Sequence, residues 1–118
     1  MKKLMISAVL LVLVLIANKS AHAGWAQAHI IKLVAISDGL VWVQTDAMPS
    51  DTCSYWGFNY VMNTNSAAGK QMFSLLLSAK ITGNFVELWY DPSSVPGSDH
   101  YSGCVPFTMA GITQVGLD

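Results

Sequence analysis

The stretch Ser66–Tyr90, SAAGKQMFSLLLSAKITGNFVELWY, organises the fold prediction for the whole chain. Its first part repeats polar residues at three- and four-residue spacing, which is typical of an amphipathic helix with a wide apolar face. Asparagine and serine residues just before it suit a helix start, and Gly83 suits a left-handed stop. We therefore predict a helix over residues 66–81 and, because FVELWY alternates, a strand over residues 85–90.

The beginning of the chain has the pattern of a secretory signal peptide. Two lysines precede an apolar run over residues 4–17, and Ala21-His22-Ala23 supplies small residues before a cleavage point. The apolar run is shorter than the roughly 20 residues of a membrane-spanning helix, so we expect no membrane association after cleavage. We predict a signal peptide over residues 1–23 and one exported domain over residues 24–118, either periplasmic or secreted.

The predicted mature domain is acidic. Three lysines stand against seven carboxylates, a formal charge of −4, and arginine is absent from the sequence. Nucleic-acid binding requires clustered basic side chains that replace the counterions of phosphates. We therefore expect no nucleic-acid partner and no affinity for anionic lipid surfaces.

Cys53 and Cys104 are the only cysteines of the chain. Export places them in an oxidising compartment, so we predict that they form one disulfide bond. A redox-active pair is the alternative, but the C-x-x-C spacing that such pairs use is absent.

Short strands are predicted on both sides of the helix. They cover residues 28–37, 40–45, 53–62, 85–90 and 107–117, with Ser37-Asp38-Gly39 as the turn of a hairpin and Gly24–Gln27 as a short lead-in. The third strand alternates aromatic residues on one face, and its Gly57 marks a bulge or a bend. The longest loop covers residues 91–103 and has no period.

The predicted order of elements is β-β-β-α-β-β. This is the connectivity of the five-stranded OB barrel, in which a helix between the third and fourth strands closes one end. We therefore predict a mainly β domain with one helix, of the α+β class, folded as an OB-like barrel with one disulfide. A plain α+β meander has the same order and stays open as an alternative.

Several short motifs are shared with a known group of exported proteins. They are Gly24-Trp25, Val41-Trp42-Val43, Cys53-Ser54-Tyr55-Trp56, Thr82-Gly83, Val86-Glu87-Leu88-Trp89-Tyr90 and Ala110-Gly111-Ile112. On these motifs the chain resembles the OB-fold binding subunits of bacterial pentameric toxins, in the branch of subtilase cytotoxin, typhoid toxin and pertussis toxin. It is also similar to small uncharacterised exported proteins of proteobacteria.

The toxin resemblance implies a non-enzymatic module that binds a glycan or a protein partner. It also implies a homo-oligomer, for which the apolar face of helix 66–81 is the predicted contact. Where those subunits use a serine near the first strand to recognise glycans, this chain has Ala26-Gln27-Ala28-His29, and their longer cysteine-rich tail is missing.

Four residues are the candidate ligand-binding set: Trp25, Gln27, His29 and Tyr101. The two aromatic residues are predicted outside regular strands, where a ring can stack on the apolar side of a sugar. We expect no catalytic residues, no metal site and no cofactor, because a nucleophile elbow G-x-S-x-G is absent and the predicted domain holds only two histidines.

The loop over residues 91–103 supports the rival hypothesis of a small periplasmic enzyme or an enzyme inhibitor. It contains the cluster Asp99-His100-Tyr101, and Pro92 and Pro96 favour a rigid extended conformation.

Overall fold

The domain consists of a six-stranded sheet and one α-helix within residues 24–117, which the computed structural model describes. The predicted signal peptide, residues 1–23, lies outside the described residues, as does Asp118. The elements are β1 (Gly24–Ala28), β2 (Ile30–Ala35), β3 (Leu40–Thr45), β4 (Tyr60–Asn63), α1 (Ala67–Thr82), β5 (Val86–Asp91) and β6 (Ala110–Leu117). The strand order is β1-β5-β6-β4-β3-β2, antiparallel except for the parallel pair β4 and β6. The prediction of a mainly β domain with one helix is confirmed.

Helix α1 begins and ends one residue later than the predicted range 66–81, with the predicted residues at both caps. The Ser66 hydroxyl accepts a hydrogen bond of 3.0 Å from the backbone N–H of Gly69, which satisfies one of the free amides of the first turn. At the other end Gly83 adopts a left-handed conformation with φ 73°, and its N–H bonds the carbonyl of Ala79. The helix packs against β2 and β6 and buries Leu76 and Ala79.

Gly69 stands where the helix leaves β4, and the space there admits no side chain. A Cβ at this position would lie 2.1 Å from the backbone oxygen of Asn63. Gly69→Ala is therefore expected to lower the free energy of unfolding by about 1–3 kcal/mol, because this clash outweighs the helix propensity of alanine, about 1 kcal/mol.

Urea unfolding measures this effect. The matched control is Gly111→Ala, whose Cβ would meet nothing within 4 Å and whose effect is expected to stay within about 1 kcal/mol. A Gly69→Ala protein more stable than the wild type would contradict the close packing of the helix start.

The predicted lead-in, residues 24–27, is wrong because it belongs to β1, and the predicted first strand over residues 28–37 corresponds to β2, which covers only Ile30–Ala35. Strand β1 pairs with β5 and β2 pairs with β3, so the two stand at opposite edges of the sheet. They are separated by His29, whose N–H bonds the carboxylate of Asp46 at 2.8 Å and not a neighbouring strand. The sheet thus has six strands and does not close, which corrects the expectation of a closed five-stranded barrel.

The predicted third strand, residues 53–62, is wrong over most of its length. Only its end belongs to β4, because the chain first folds back on itself. Tyr55 and Phe58 exchange both backbone hydrogen bonds, at 2.8 and 2.9 Å. Trp56 and Gly57 lie between them with φ 53° and 89°. The alternating aromatic residues indicate a strand, but two left-handed residues in succession reverse the chain.

Buried side chains form two groups. The larger lies between α1 and the sheet, where Tyr60 and Tyr90 pack edge-on with ring centroids 5.0 Å apart. Burial raises the pKa of both phenols above its ordinary value, and Tyr90 donates a hydrogen bond of 2.7 Å to Asp51. The smaller group surrounds the disulfide and consists of Cys53, Phe58, Cys104 and Met109, with Val34, Trp42, Tyr55, Val61 and Val95 packed against it.

Candidate ligand-binding site

The Tyr55–Phe58 turn carries an exposed tryptophan at its tip. Trp56 is 64% exposed and has a φ of 53°, in the left-handed region. That conformation costs a non-glycine residue about 1–2 kcal/mol, and turns of this kind favour asparagine followed by glycine. A large aromatic residue at this position therefore lowers the stability of the fold relative to asparagine or glycine. Strain of this kind concentrates at functional sites, which directs attention to the indole.

A second short turn presents a histidine and a tyrosine beside the first. His100–Ser102 is a single 3-10 turn that follows Asp99 and ends at Gly103. The Asp99 carboxylate accepts hydrogen bonds of 3.0 and 2.9 Å from the backbone N–H groups of Tyr101 and Ser102. Hydrogen bonding from Ser102 above all holds the pKa of the Asp99 carboxyl below its ordinary value. The carboxylate thus fixes the turn that carries the two rings.

The rings of the two turns form one aromatic stack, defined as Trp56, His100 and Tyr101. The imidazole of His100 lies 3.8 Å from the ring of Trp56 at an interplanar angle of 23°. It also lies 3.8 Å from the phenol of Tyr101, tilted by 41°. Tyr101 is 84% exposed, so the stack presents two large aromatic surfaces to solvent. Exposed aromatic surface of this kind is typical of binding sites.

The disulfide bond joins the two chain segments that carry the aromatic stack. Cys53 and Cys104 are bonded with their Cα atoms 5.8 Å apart, and both are buried, which confirms the predicted pairing. The backbone N–H of Ser54 also donates a 3.0 Å hydrogen bond to Ser98 of the second loop. Trp56 lies three residues after one cysteine and Tyr101 three residues before the other. The two segments that carry the stack are therefore linked by a covalent bond.

The other predicted ligand residues lie elsewhere in the sheet. Trp25 and Gln27 occupy the exposed face of β1, opposite Trp89 and Glu87 of β5. No ring contact between Trp25 and Tyr101 occurs within the described residues. The structure therefore groups Tyr101 with Trp56, which sequence analysis assigned to a strand. The signal in the sequence is Gly57, which we interpret as the mark of a bulge or a bend.

His29, the fourth predicted ligand residue, is occupied by contacts within the domain. Its Nδ1 lies 2.8 Å from Asp46 Oδ2, and its ring stacks on Phe85 at 3.8 Å. Hydrogen bonds from the His29 side chain and backbone hold the pKa of the Asp46 carboxyl below its ordinary value of 3.8. This pair joins the break between β1 and β2 to the end of β3.

The lowered pKa of Asp46 predicts a pH-dependent contribution to stability. Because the folded pKa lies below the unfolded value, the contribution is complete above that value and disappears as the pH falls through the folded pKa. Asp46→Asn is therefore expected to lower the free energy of unfolding by less than about 1 kcal/mol near neutral pH. This destabilisation is expected to be smaller at acidic pH than at neutral pH.

Urea unfolding of wild type and Asp46→Asn at neutral pH and near pH 2.5 tests this expectation. Asp38→Asn, which removes another exposed carboxylate, is the control. A difference between Asp46→Asn and wild type that is equal at the two pH values would refute the assignment.

Comparison with known proteins identifies no similar protein. No protein-family model, curated protein sequence or solved structure matches this chain. Among the described residues, no helix has the length and apolar character needed to cross a membrane. Within the same residues, histidine, cysteine and carboxylate side chains form no group of three that is suited to a metal ion.

The aromatic stack offers groups that can contact a ligand and orient it. The indole of Trp56 and the phenol of Tyr101 supply flat polarisable surfaces, and their N–H and O–H groups supply hydrogen bonds at the ring edges. The imidazole of His100 packs against both rings, and its Nε2 is buried. The neighbouring carboxylate of Asp99 is engaged by two backbone N–H groups. Such a constellation suits the binding of a flat or ring-shaped group.

Proposed function

We propose that the chain is an exported, non-enzymatic binding module that holds a glycan on the aromatic stack. The single observation that carries the proposal is Trp56, an exposed tryptophan in a left-handed conformation that favours other residues. The fold gains little from an indole there, so a role in recognition accounts for its presence.

The geometry of the stack supports a sugar ring as the bound group. Trp56 and Tyr101 each have one side packed on His100, while both remain largely exposed to solvent. A free aromatic face packs on the apolar face of a pyranose, and the polar edge of the ring bonds its hydroxyl groups. The acidic domain also favours neutral glycans over anionic ones.

The proposal includes an OB-like connectivity of the strands, in a sheet that does not close, related to that of the binding subunits of bacterial pentameric toxins. Three features support this relationship: the helix between β4 and β5, the parallel pairing of β4 with β6, and the consecutive strands β1 and β2 at the two edges of the sheet. Together they match the connectivity of that barrel, in which a first strand pairs with both the second and the fourth.

Assembly into a ring is the quaternary structure that this relationship favours. Helix α1 presents Leu77, 42% exposed, and Ile81, 76% exposed, as a contact surface for a second copy. Light scattering on the mature protein is expected to show a multimer. A monomer at micromolar concentration would contradict the ring and leave the proposed glycan site untouched.

A protein partner, as in an enzyme inhibitor, is a second candidate because the loop over residues 91–103 is firmly held. Backbone N–H groups of Ser93 and Gly97 bond Asp51 and Thr52, each at 2.9 Å. A rigid exposed loop is what an inhibitor presents to an enzyme. His100→Ala would then abolish affinity for the target enzyme while a glycan array stays empty.

A glycan array with labelled mature protein tests the proposed function. The wild type is expected to bind a restricted set of neutral glycans. Tyr101→Ala is expected to weaken that binding about tenfold or more, on the scale of the roughly 1–3 kcal/mol that a nucleobase gains by stacking on an aromatic side chain. Trp25→Ala, which removes an exposed tryptophan outside the stack, is the matched control and should bind as the wild type does. Loss with Trp25→Ala alone would move the site to β1.

A further inference from the structure

A groove separates the first half of α1 from the turn between β2 and β3. Its volume is about 410 Å³, which lies in the range of small-molecule sites. Apolar side chains supply most of its lining, with Ile36 and Leu40 from the turn and Phe73 from the helix. Neither the aromatic stack nor the exposed face of β1 contributes to it.

The turn that forms one wall of the groove is fixed in place. The carbonyl of Gly39 accepts two hydrogen bonds from Thr64, through its N–H and its hydroxyl, each of 2.8 Å. Asn65 donates a third, of 2.9 Å, to the carbonyl of Asp38. Gly39 has a φ of 76°, and a Cβ there would lie 2.3 Å from Asn65. The groove is therefore preformed, which lowers the entropic cost of filling it.

The hydroxyl groups of the groove are already engaged. Thr64 donates to Gly39, and Ser74 donates a 3.1 Å hydrogen bond to the carbonyl of Lys70. A sugar or another ligand with many hydroxyls would find few partners there. The groove is therefore suited to a different class of ligand from the glycan proposed for the aromatic stack.

Lys70 supplies the one charged group of the lining. Within residues 24–117 no carboxylate lies in ion-pair distance of its ammonium group. This ammonium group is exposed to solvent and belongs to a domain with four more acidic than basic residues. It complements a ligand that carries a single anionic head.

From these observations we propose that the groove binds a small amphiphile with one carboxylate and an apolar tail. The tail lies against Ile36, Leu40 and Phe73, and the carboxylate meets the ammonium group of Lys70. This site is independent of the glycan proposal, and either can fail without the other.

A homologous series of fatty acids tests the apolar part. Hexanoate, octanoate and decanoate, kept below their micelle concentrations, are titrated into the mature protein and followed by the NMR shifts of its backbone amides. Affinity is expected to rise about three- to fourfold per methylene group until the groove is full. The shifts are expected to concentrate at residues 35–41 and 70–74.

Two pairs of variants test the location and the charge. Ser74→Phe places a ring in the groove and is expected to weaken decanoate binding at least tenfold, while Ser78→Phe, one turn further along α1, is not. Lys70→Gln is expected to weaken decanoate two- to fivefold and to leave decanol unchanged, as an exposed ion pair would. Lys80→Gln, near the end of α1, is the control for charge.

Three outcomes would overturn the proposal. The first is the absence of saturable binding by any member of the series. The second is an equal loss with Ser74→Phe and Ser78→Phe, or amide shifts that concentrate elsewhere. The third is self-association of the protein that Ser74→Phe abolishes and decanoate does not affect, because the groove would then hold a second copy of the chain.

Discussion

Removal of the disulfide, by Cys53→Ala together with Cys104→Ala, is expected to lower the free energy of unfolding by about 4 kcal/mol. The bond links residues separated by 51 positions, and closing a loop of that length restricts the unfolded chain by about this amount. Urea unfolding of the double variant and of the oxidised wild type gives the difference. The loss would be a large part of the stability of a domain of this size.

The same double variant is expected to lose glycan binding while its helix and sheet remain folded. The disulfide bond holds together the two turns that carry the aromatic stack. Helix α1 and the six strands are held by their own backbone hydrogen bonds. The control is wild type in the presence of a reductant, because the bond is buried and should stay intact under native conditions. A double variant that unfolds with a loss below about 1 kcal/mol and still binds glycan would contradict the role of the disulfide.

Trp56→Asn is expected to separate stability from binding. Asparagine tolerates the left-handed conformation at the first position of this turn, so the free energy of unfolding should stay within about 1 kcal/mol of the wild type or rise. Glycan affinity should fall at least tenfold, because the exposed indole is lost. Urea unfolding and titration with the preferred glycan of the array provide the two values.

Trp42→Ala is the comparison for an indole that serves the fold. Trp42 packs against Tyr55 and Phe58 in the smaller buried group, with ring centroids 5.2 and 5.7 Å away. Its truncation is expected to cost about 3 kcal/mol or more. If Trp56→Asn is equally destabilising, Trp56 is a structural residue, and the strain argument for a binding site is wrong.

Helix α1 and the disulfide are the parts that the sequence predicts well. The helix has a clear period, a serine that caps its start and a glycine that ends it, so local signals agree with the final structure. Two cysteines leave one intramolecular pairing, and the predicted export of the chain favours its oxidation. Both features depend on residues whose preference is independent of distant contacts.

The strands at either side of His29 show what the sequence conceals. Gly24–Ala28 contains two alanines that are buried by packing, and alanine gives little strand signal. The change of partner at His29 depends on a hydrogen bond to Asp46, a residue 17 positions away. Such a contact has no local pattern, so Gly24–Gln27 was predicted as a lead-in and the first strand was predicted to begin only at residue 28.

Trp56 and His100 were missed as site residues for a related reason. Alternation of aromatic residues over 53–62 is typical of a strand, and Trp56 has no preference for a left-handed turn. The meeting of Trp56 with His100 requires two loops that are 44 positions apart in sequence. Tyr101 was selected because its loop is exposed, and this property was readable without knowledge of its neighbours.

The most direct test of the proposed binding surface is an NMR titration that follows the indole N–H signals of the four tryptophans. The titrant is the neutral glycan preferred on the array. We expect the indole signal of Trp56 to shift in a saturable way, together with the ring signals of His100 and Tyr101, while that of Trp25 stays in place. A saturable shift at Trp25 or Trp89, with Trp56 unchanged, would contradict the assignment of the aromatic stack as the binding site.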